Sequence, residues 1–387
     1  MAEVFDAIVV GLGAMGSAAT YQLAKRGASV LGIDQLKPPH ELGSTHGDSR
    51  ITRIACGEGP EYSSFARRSH EIWRELEKAT GRDLFTQNGM LVISGQGKRA
   101  AGHENEKFLE TTINAAQEAN VSHETLDGKA IRERFPAFNV REDDTAYFDR
   151  VSGFVRPGLC IEAQLQRASI SGATLRFHEK MLQFEQSGEE VRMTTAAGSY
   201  RAKKLILTAG PWVNEVLRLD CEFKITRQVL YWFRFKRESA SRNFVPERFP
   251  VYIWQIPAPQ VIYGFPLIGR PDEGVKIATE QYEVTTAPDS VRRSVSPDEI
   301  SEMFSTYVSP YFPDLDDICV KAKVCLYTCM PKARFVIDSH PRMKNVIVAS
   351  PCSGHGFKHS AAIGETLAQM ALGQSHLDLS KFAFPQV

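Results

Sequence analysis

Two cysteines stand four apart in VCLYTCMPKARF, residues 324–335, at Cys325 and Cys329. Thiols at such a spacing can ligate a metal, close a disulfide, fill a core or carry covalent chemistry. A second pair, His355 and His359, also four apart, raises zinc. The 25 residues separating the two pairs are about double the usual finger spacing of roughly 12–15. The histidines also flank a glycine-rich turn, so zinc is the weaker reading. In an extended segment a spacing of four does not bring two thiols into bonding range, which argues against a disulfide.

Positive charge offers a second chemistry. The run Gly43-Ser44-Thr45-His46-Gly47-Asp48-Ser49-Arg50-Ile51-Thr52-Arg53 sets a histidine and two arginines among small residues. If helical, it would turn Arg50 and Arg53 toward one cavity. A guanidinium fork fits a carboxylate in bidentate fashion; two solvated surface arginines are the alternative. Lys358, in SGHGFK, falls in the first turn of an expected helix. The helix dipole makes that a poor place for a cation, which favours a use for it. Lys276 lies between apolar neighbours in GVKIAT, as a lysine guarding an edge strand would.

These residues need elements to position them. Phe5 to Val10 is a short apolar run without alternation, suited to a parallel strand covered on both faces. It enters Gly11-Leu12-Gly13-Ala14-Met15-Gly16, and a helix is expected from Ser17 to Arg26, closed by Gly27. A second buried run, Val30 to Ile33, ends at Asp34. Gly11 makes the tight turn, Gly13 lets backbone approach a pyrophosphate, and Gly16 lets helix and strand pack closely. Asp34 stands where a carboxylate accepts bonds from a ribose hydroxyl. The pattern predicts a dinucleotide site without separating FAD from NAD.

Downstream the chain is not a regular βαβ repeat. Residues 65–80 read as an amphipathic helix with Phe65, Ile72, Trp73 and Leu76 inward. Asn88-Gly89 reads as a hairpin turn, and 103–119 as a further helix. Residues 191–210 read as two strands joined by a turn, and 224–283 as an antiparallel sheet. Ser296-Pro297-Asp298-Glu299 is a capping-box start. A strand near 344–349 then feeds a glycine-rich turn and a helix of about four turns. The expected organisation is an FAD- or NAD-type domain over 1–83, 145–219 and 318–387, with a substrate domain over 84–144 and 220–317.

Composition narrows the partners. Lysine plus arginine and aspartate plus glutamate number 46 each, so the formal net charge is zero. That argues against nucleic acid or an anionic membrane, which call for a basic excess. No apolar run reaches membrane-spanning length and no secretory signal is evident. Scattered cysteines, odd in number, fit reduced thiols and a cytoplasmic location.

Four stretches in order carry a family resemblance: VVGLGAMG at 9–16, PPHELGSTHGDSRITR at 38–53, VCLYT at 324–328 with FVIDSHP at 335–341, and SGHGFK at 353–358. The chain resembles the monomeric sarcosine oxidase family, FAD amine oxidases that include N-methyltryptophan oxidase and pipecolate oxidase. The resemblance spans essentially the full length. It implies a D-amino-acid-oxidase-like α/β (α+β) fold, a Rossmann-like FAD domain with an inserted substrate domain on a mostly antiparallel sheet. It implies FAD attached through a thioether from Cys325 to the flavin 8α carbon, with Cys329 a bystander. His46 and Arg50 would lie near the flavin ring, and Arg53 and Lys358 would bind the substrate carboxylate. Ser44, Gly354, Gly356 and Lys358 would border the cofactor. Lys276 would sit over the flavin and help oxygen accept electrons. Tyr263 and Tyr327 would wall the substrate, or are core tyrosines. The implied reaction is two-electron oxidation of a secondary amine bearing a carboxylate, with hydride transfer to flavin N5, hydrolysis of the imine and reduction of O2 to hydrogen peroxide. The protein would be a monomer, and the neutral amine would react, so activity would rise with pH.

Several positions depart from the family pattern. Glu280 replaces a histidine near the substrate; it would either attract a second cationic group or point to solvent. Thr45 replaces a histidine, Met330 to Arg334 replace an acidic segment, and Pro351-Cys352 replace Gly-Phe. Tyr252-Ile253-Trp254 would shape a different pocket. These changes argue against sarcosine itself as the best substrate. Competing readings are an FAD dehydrogenase using an acceptor other than O2, an NAD(P) dehydrogenase, and a non-catalytic flavin-binding protein.

Overall fold

In a computed structural model the described residues are 4–97, 100–101, 105–217, 219, 223–375 and 377–385. Residues 103 and 104 of an expected helix, and Cys221, lie outside them. The apolar run Val4–Val10 forms a strand paired in parallel with Val30–Ile33 on one side and Ser199–Leu207 on the other. Thr174–Arg176 extends this parallel core beside Val30–Ile33, and Met343–Ser350 beside Ser199–Leu207. Antiparallel additions, Met181–Ser187 with Glu190–Thr195 and Val336–His340, complete an eight-stranded sheet among the described residues. Helices Ala14–Lys25 and Ser360–Ala371 pack together on it, burying Leu23, Ala362, Ile363 and Leu367. The expected four-turn helix is thus 12 residues, preceded by a 3₁₀ turn, Gly356–His359.

A second eight-stranded sheet runs in the order Leu315–Cys329, Lys224–Phe235, Val275–Thr279, Ile262–Gly264, Val251–Gln255, Met90–Ser94, Thr145–Asp149, His123–Asp127. Every pair is antiparallel except Val251–Gln255 with Met90–Ser94. One face holds an aromatic core that includes Phe138, Phe249, Tyr252, Trp254 and Phe312. The expected domain limits at 145 and 318 cut through this sheet, because Thr145–Asp149 and Leu315–Cys329 both pair within it. A small antiparallel sheet joins Arg50–Thr52, Gly153–Val155 and Phe85–Thr86.

Two local expectations fail for identifiable reasons. Asn88-Gly89 does not turn a hairpin, since Phe85–Thr86 and Met90–Ser94 belong to different sheets. Gly89, at φ +85°, instead carries the chain between them, its N–H donating to Ser152 and its carbonyl accepting from Val251. The Arg50 segment is a strand, not a helix. By contrast, the helix Ser63–Thr80 buries Phe65, Ile72, Trp73 and Leu76, and Ser296 and Glu299 form the full capping box of helix Pro297–Glu302. Among the described residues no helix is long and apolar enough to cross a membrane.

Candidate active site

The carboxyl ends of the parallel strands and the face of the second sheet opposite its aromatic core enclose a cavity of about 830 Å³. Its lining brings together Gly11, Gly13, Asp34, Ser44, Arg50, Arg53, Tyr263, Glu280, Cys325, Tyr327, Gly354, Gly356 and Lys358. Gly16, His46 and Lys276 stand behind this wall. Ligands of open α/β sheets bind at this end, outside the strand carboxyl termini.

One end fits a dinucleotide. Gly11 has φ +87°, and a Cβ there would meet the Thr208 carbonyl oxygen at 2.5 Å. A Cβ on Gly16 would overlap the carbonyl oxygen of Gly11. Gly13 differs: the nearest atom to a Cβ there is the Thr45 hydroxyl at 3.9 Å, so its open side faces the cleft at the helix N-terminus. Such a cradle admits a pyrophosphate. Asp34 accepts from the amides of Leu12 at 2.7 Å and Leu36 at 2.8 Å, which fixes its carboxylate at the cavity wall. Burial raises its pKa, and those two amides pull the other way.

Cys325 lies on strand Leu315–Cys329, in register with Gln228. Arg50 Nη2 donates to its Sγ at 3.3 Å, and the Ser44 carbonyl oxygen lies 3.3 Å from the same sulfur. Arg50 is itself anchored on the carbonyls of Ser44 and Ser49. Burial pushes the thiol up, but the Arg50 guanidinium and then His46 outweigh it and leave the pKa at about 7. A thiol so placed is a nucleophile at neutral pH. Cys329 shares that face of the strand, roughly 13 Å away at a strand's rise per residue, and the two form no disulfide. Among the described residues no group of His, Cys, Asp and Glu could hold a metal. His355 instead bonds the Ala333 carbonyl at 2.9 Å and stacks on Phe335.

Arg53 and Lys358 meet, but around a residue that sequence reading missed. Both Nη2 contacts of Arg53 go to Glu58 at 2.9 Å, and Lys358 Nζ donates to the same carboxylate at 2.9 Å. All three side chains are buried. Burial opposes the charge on Arg53, and Glu58 overrides it, so its pKa is raised. Burial lowers the Lys358 pKa, with Glu58 opposing. The signal in the sequence was an acid between two glycines five residues past Arg53, which reads as an ordinary loop.

Lys276 is on an interior strand, so it guards no edge. Only 3% exposed, it donates to the carbonyls of Gly47 at 2.8 Å and Ser49 at 2.7 Å and lies 3.7 Å from the Phe265 ring centre. Burial, then the Arg50 charge, lowers its pKa well below the usual value. Tyr263 and Tyr327 stand together at the wall, and burial raises the pKa of both. Ile253 lines the cavity while Tyr252 and Trp254 turn into the aromatic core, so that segment gives the pocket one residue, not three. Glu280 is 7% exposed and faces the cavity rather than solvent.

The chain matches the FAD dependent oxidoreductase (DAO) family over residues 6–370. It is 38% identical to the monomeric sarcosine oxidase of Streptomyces avermitilis over 374 residues, 96% of this chain and 94% of that one. It is 31% identical to the N-methyl-L-tryptophan oxidase of Yersinia pestis, covering 98% of each. NikD, described as an unusual amino acid oxidase essential for nikkomycin biosynthesis, has the same fold, with a TM-score of 0.82 at 23% identity over 98% and 97% of the two chains. Glycine oxidase from Bacillus cereus gives 0.77 at 16% identity over 99% of each.

Proposed function

We propose that this chain, which belongs to the FAD dependent oxidoreductase family and is an amine oxidoreductase of the monomeric sarcosine oxidase kind, oxidises a secondary-amine amino acid, N-methylated or cyclic, and reduces O2 to hydrogen peroxide. The observation that carries this reading is the buried trio. Arg53 and Lys358 share a single internal carboxylate, Glu58, which leaves one positive charge to receive a substrate carboxylate at the wall of the dinucleotide cavity. The relatives' names point the same way.

FAD, when bound, supplies the two-electron chemistry, taking a hydride equivalent from the carbon beside nitrogen at N5 and returning the electrons to oxygen, after which water hydrolyses the imine. The chain's own residues do the rest. Gly11 and Gly13 would cradle the pyrophosphate, with Gly16 packing the helix onto the turn, and Asp34 would offer its carboxylate to the ribose. Cys325, its thiol pKa lowered to about 7, is the residue that would hold the flavin covalently. Arg53 and Lys358 fix the substrate carboxylate, while Tyr263 and Tyr327 exclude water from the amine. Arg50 would border the ring, with His46 behind the wall, and the Lys276 ammonium, held behind the same wall, would stabilise negative charge developing on oxygen. The protein acts as a cytoplasmic monomer.

The test is a peroxide assay on purified protein with sarcosine, other N-methyl amino acids, proline, pipecolate and glycated amino acids, paired with anaerobic flavin reduction. Peroxide release and flavin bleaching by N-methyl or cyclic compounds are expected. Bleaching without peroxide would replace the oxidase with a dehydrogenase; no bleaching by any amine would overturn the reading.

A further inference from the structure

The pocket holds a carboxylate that amine oxidation does not require. Glu280 follows strand Val275–Thr279, whose last residue pairs with Ile262, so the backbone fixes where the side chain starts. It is buried, lines the cavity, and accepts from the Tyr282 hydroxyl at 3.4 Å. Arg53, Tyr263 and Tyr327 are within its electrostatic reach. The tyrosines gather beside it: the Tyr282 and Tyr327 ring centres are 6.1 Å apart, and a Cβ on Gly354 would meet the Tyr327 ring at 2.8 Å and the Tyr282 hydroxyl at 3.0 Å. A cavity-facing carboxylate with tyrosines close by is the chemistry that holds an organic cation.

We propose that Glu280 and these tyrosines form a cation subsite, so that the preferred substrates are amino acids whose side chain carries a second positive charge besides the amine being oxidised. The proposal rests on the oxidase reading and names its substrate class. The reacting amine is not the cation meant. A fixed carboxylate beside that nitrogen would hold its proton on, and the protonated amine has no lone pair to release. Charge balance agrees. Arg53 and Lys358 against Glu58 and Glu280 form a neutral set of four. A substrate with a carboxylate, a neutral reacting amine and a distant cation adds no net charge to that set. A substrate without the cation adds one negative charge beside Glu280, which repulsion in a desolvated site penalises.

The test compares Nα-methyl-lysine with its uncharged counterpart Nα-methyl-norleucine in anaerobic flavin reduction. Wild type should favour the lysine compound by about tenfold or more in the apparent second-order rate constant. Glu280→Gln should erase or invert that ratio, and Glu280→Asp should keep part of it. A wild-type preference for the norleucine compound, or an unchanged ratio in Glu280→Gln, overturns the subsite. Calorimetric binding of 6-aminohexanoate against hexanoate provides a readout without turnover. The amino compound should bind tighter to wild type and lose its advantage in Glu280→Gln, and equal binding to wild type counts against the subsite. Because neither probe has an oxidisable α-amine, this arm stands even if no amino acid is oxidised. Where Glu280→Gln fails to retain flavin, the wild-type pairs and Glu280→Asp decide alone.

Discussion

Cys325 and Cys329 are identical in type and close in sequence, and their surroundings separate them. Only Cys325 has Arg50 and Ser44 against its sulfur and a pKa near 7. Replacing Cys325 with serine should leave flavin in the supernatant after acid precipitation, while Cys329→Ser should keep the yellow colour in the pellet; the reverse result would place the link on the wrong thiol. Lys276 is a second case in which surroundings decide. Burial lowers its pKa, so it carries full charge only below that lowered value and loses it as pH rises through it. Flavin reoxidation by oxygen should therefore slow toward alkaline pH, even as amine oxidation speeds up with loss of the substrate proton. Lys276→Met should slow reoxidation by about 10²-fold or more, remove its pH dependence and spare flavin reduction. Stopped-flow measurement of the two half-reactions separates these outcomes, and a pH-independent wild-type reoxidation would argue against a titrating Lys276.

At the scale of elements, the three glycines of the first turn do different jobs. Gly16→Ala places a methyl group on the Gly11 carbonyl and should cost at least ~1–3 kcal/mol through forced backbone movement, read as a lowered melting temperature. Gly13→Ala meets nothing closer than 3.9 Å, so it should fold normally and lose flavin content instead. Equal melting losses in both variants would contradict a pyrophosphate at Gly13. The strand–glycine–helix–strand start was legible because each local signal agreed with the tertiary role it serves. Asn88-Gly89 was misread because a hairpin turn and a crossing between sheets use the same positive φ. The Arg50 segment was misread because arginines three apart look helical, whereas both reach the cavity from a short strand and the loop after it. Glu58 was invisible because its partners lie five and 300 positions away, and only folding brings the second one near.

Across the whole molecule, the cavity is assembled from the first strand turn, the Arg50 loop, the second sheet and the turn before the last helix, so no segment of the chain forms it alone. Its wall buries two cations against Glu58, an arrangement whose desolvation cost is met only when the partners are all in place. A ligand bridging both sheets should therefore stabilise the entire fold, because it binds the folded state and not the unfolded chain. Covalent attachment changes how that stabilisation appears. In the wild-type protein the flavin stays with the chain, so adding free FAD should leave the melting temperature unchanged. In Cys325→Ser the same cavity binds FAD reversibly, and added FAD at about 100 times its dissociation constant should contribute about 2.7 kcal/mol, raising the melting temperature by a few degrees. Scanning calorimetry over a range of FAD concentrations measures this directly. Equal responses in the two proteins would mean that Cys325 does not hold the cofactor, and no response in either would mean that the cavity does not join the two sheets through FAD.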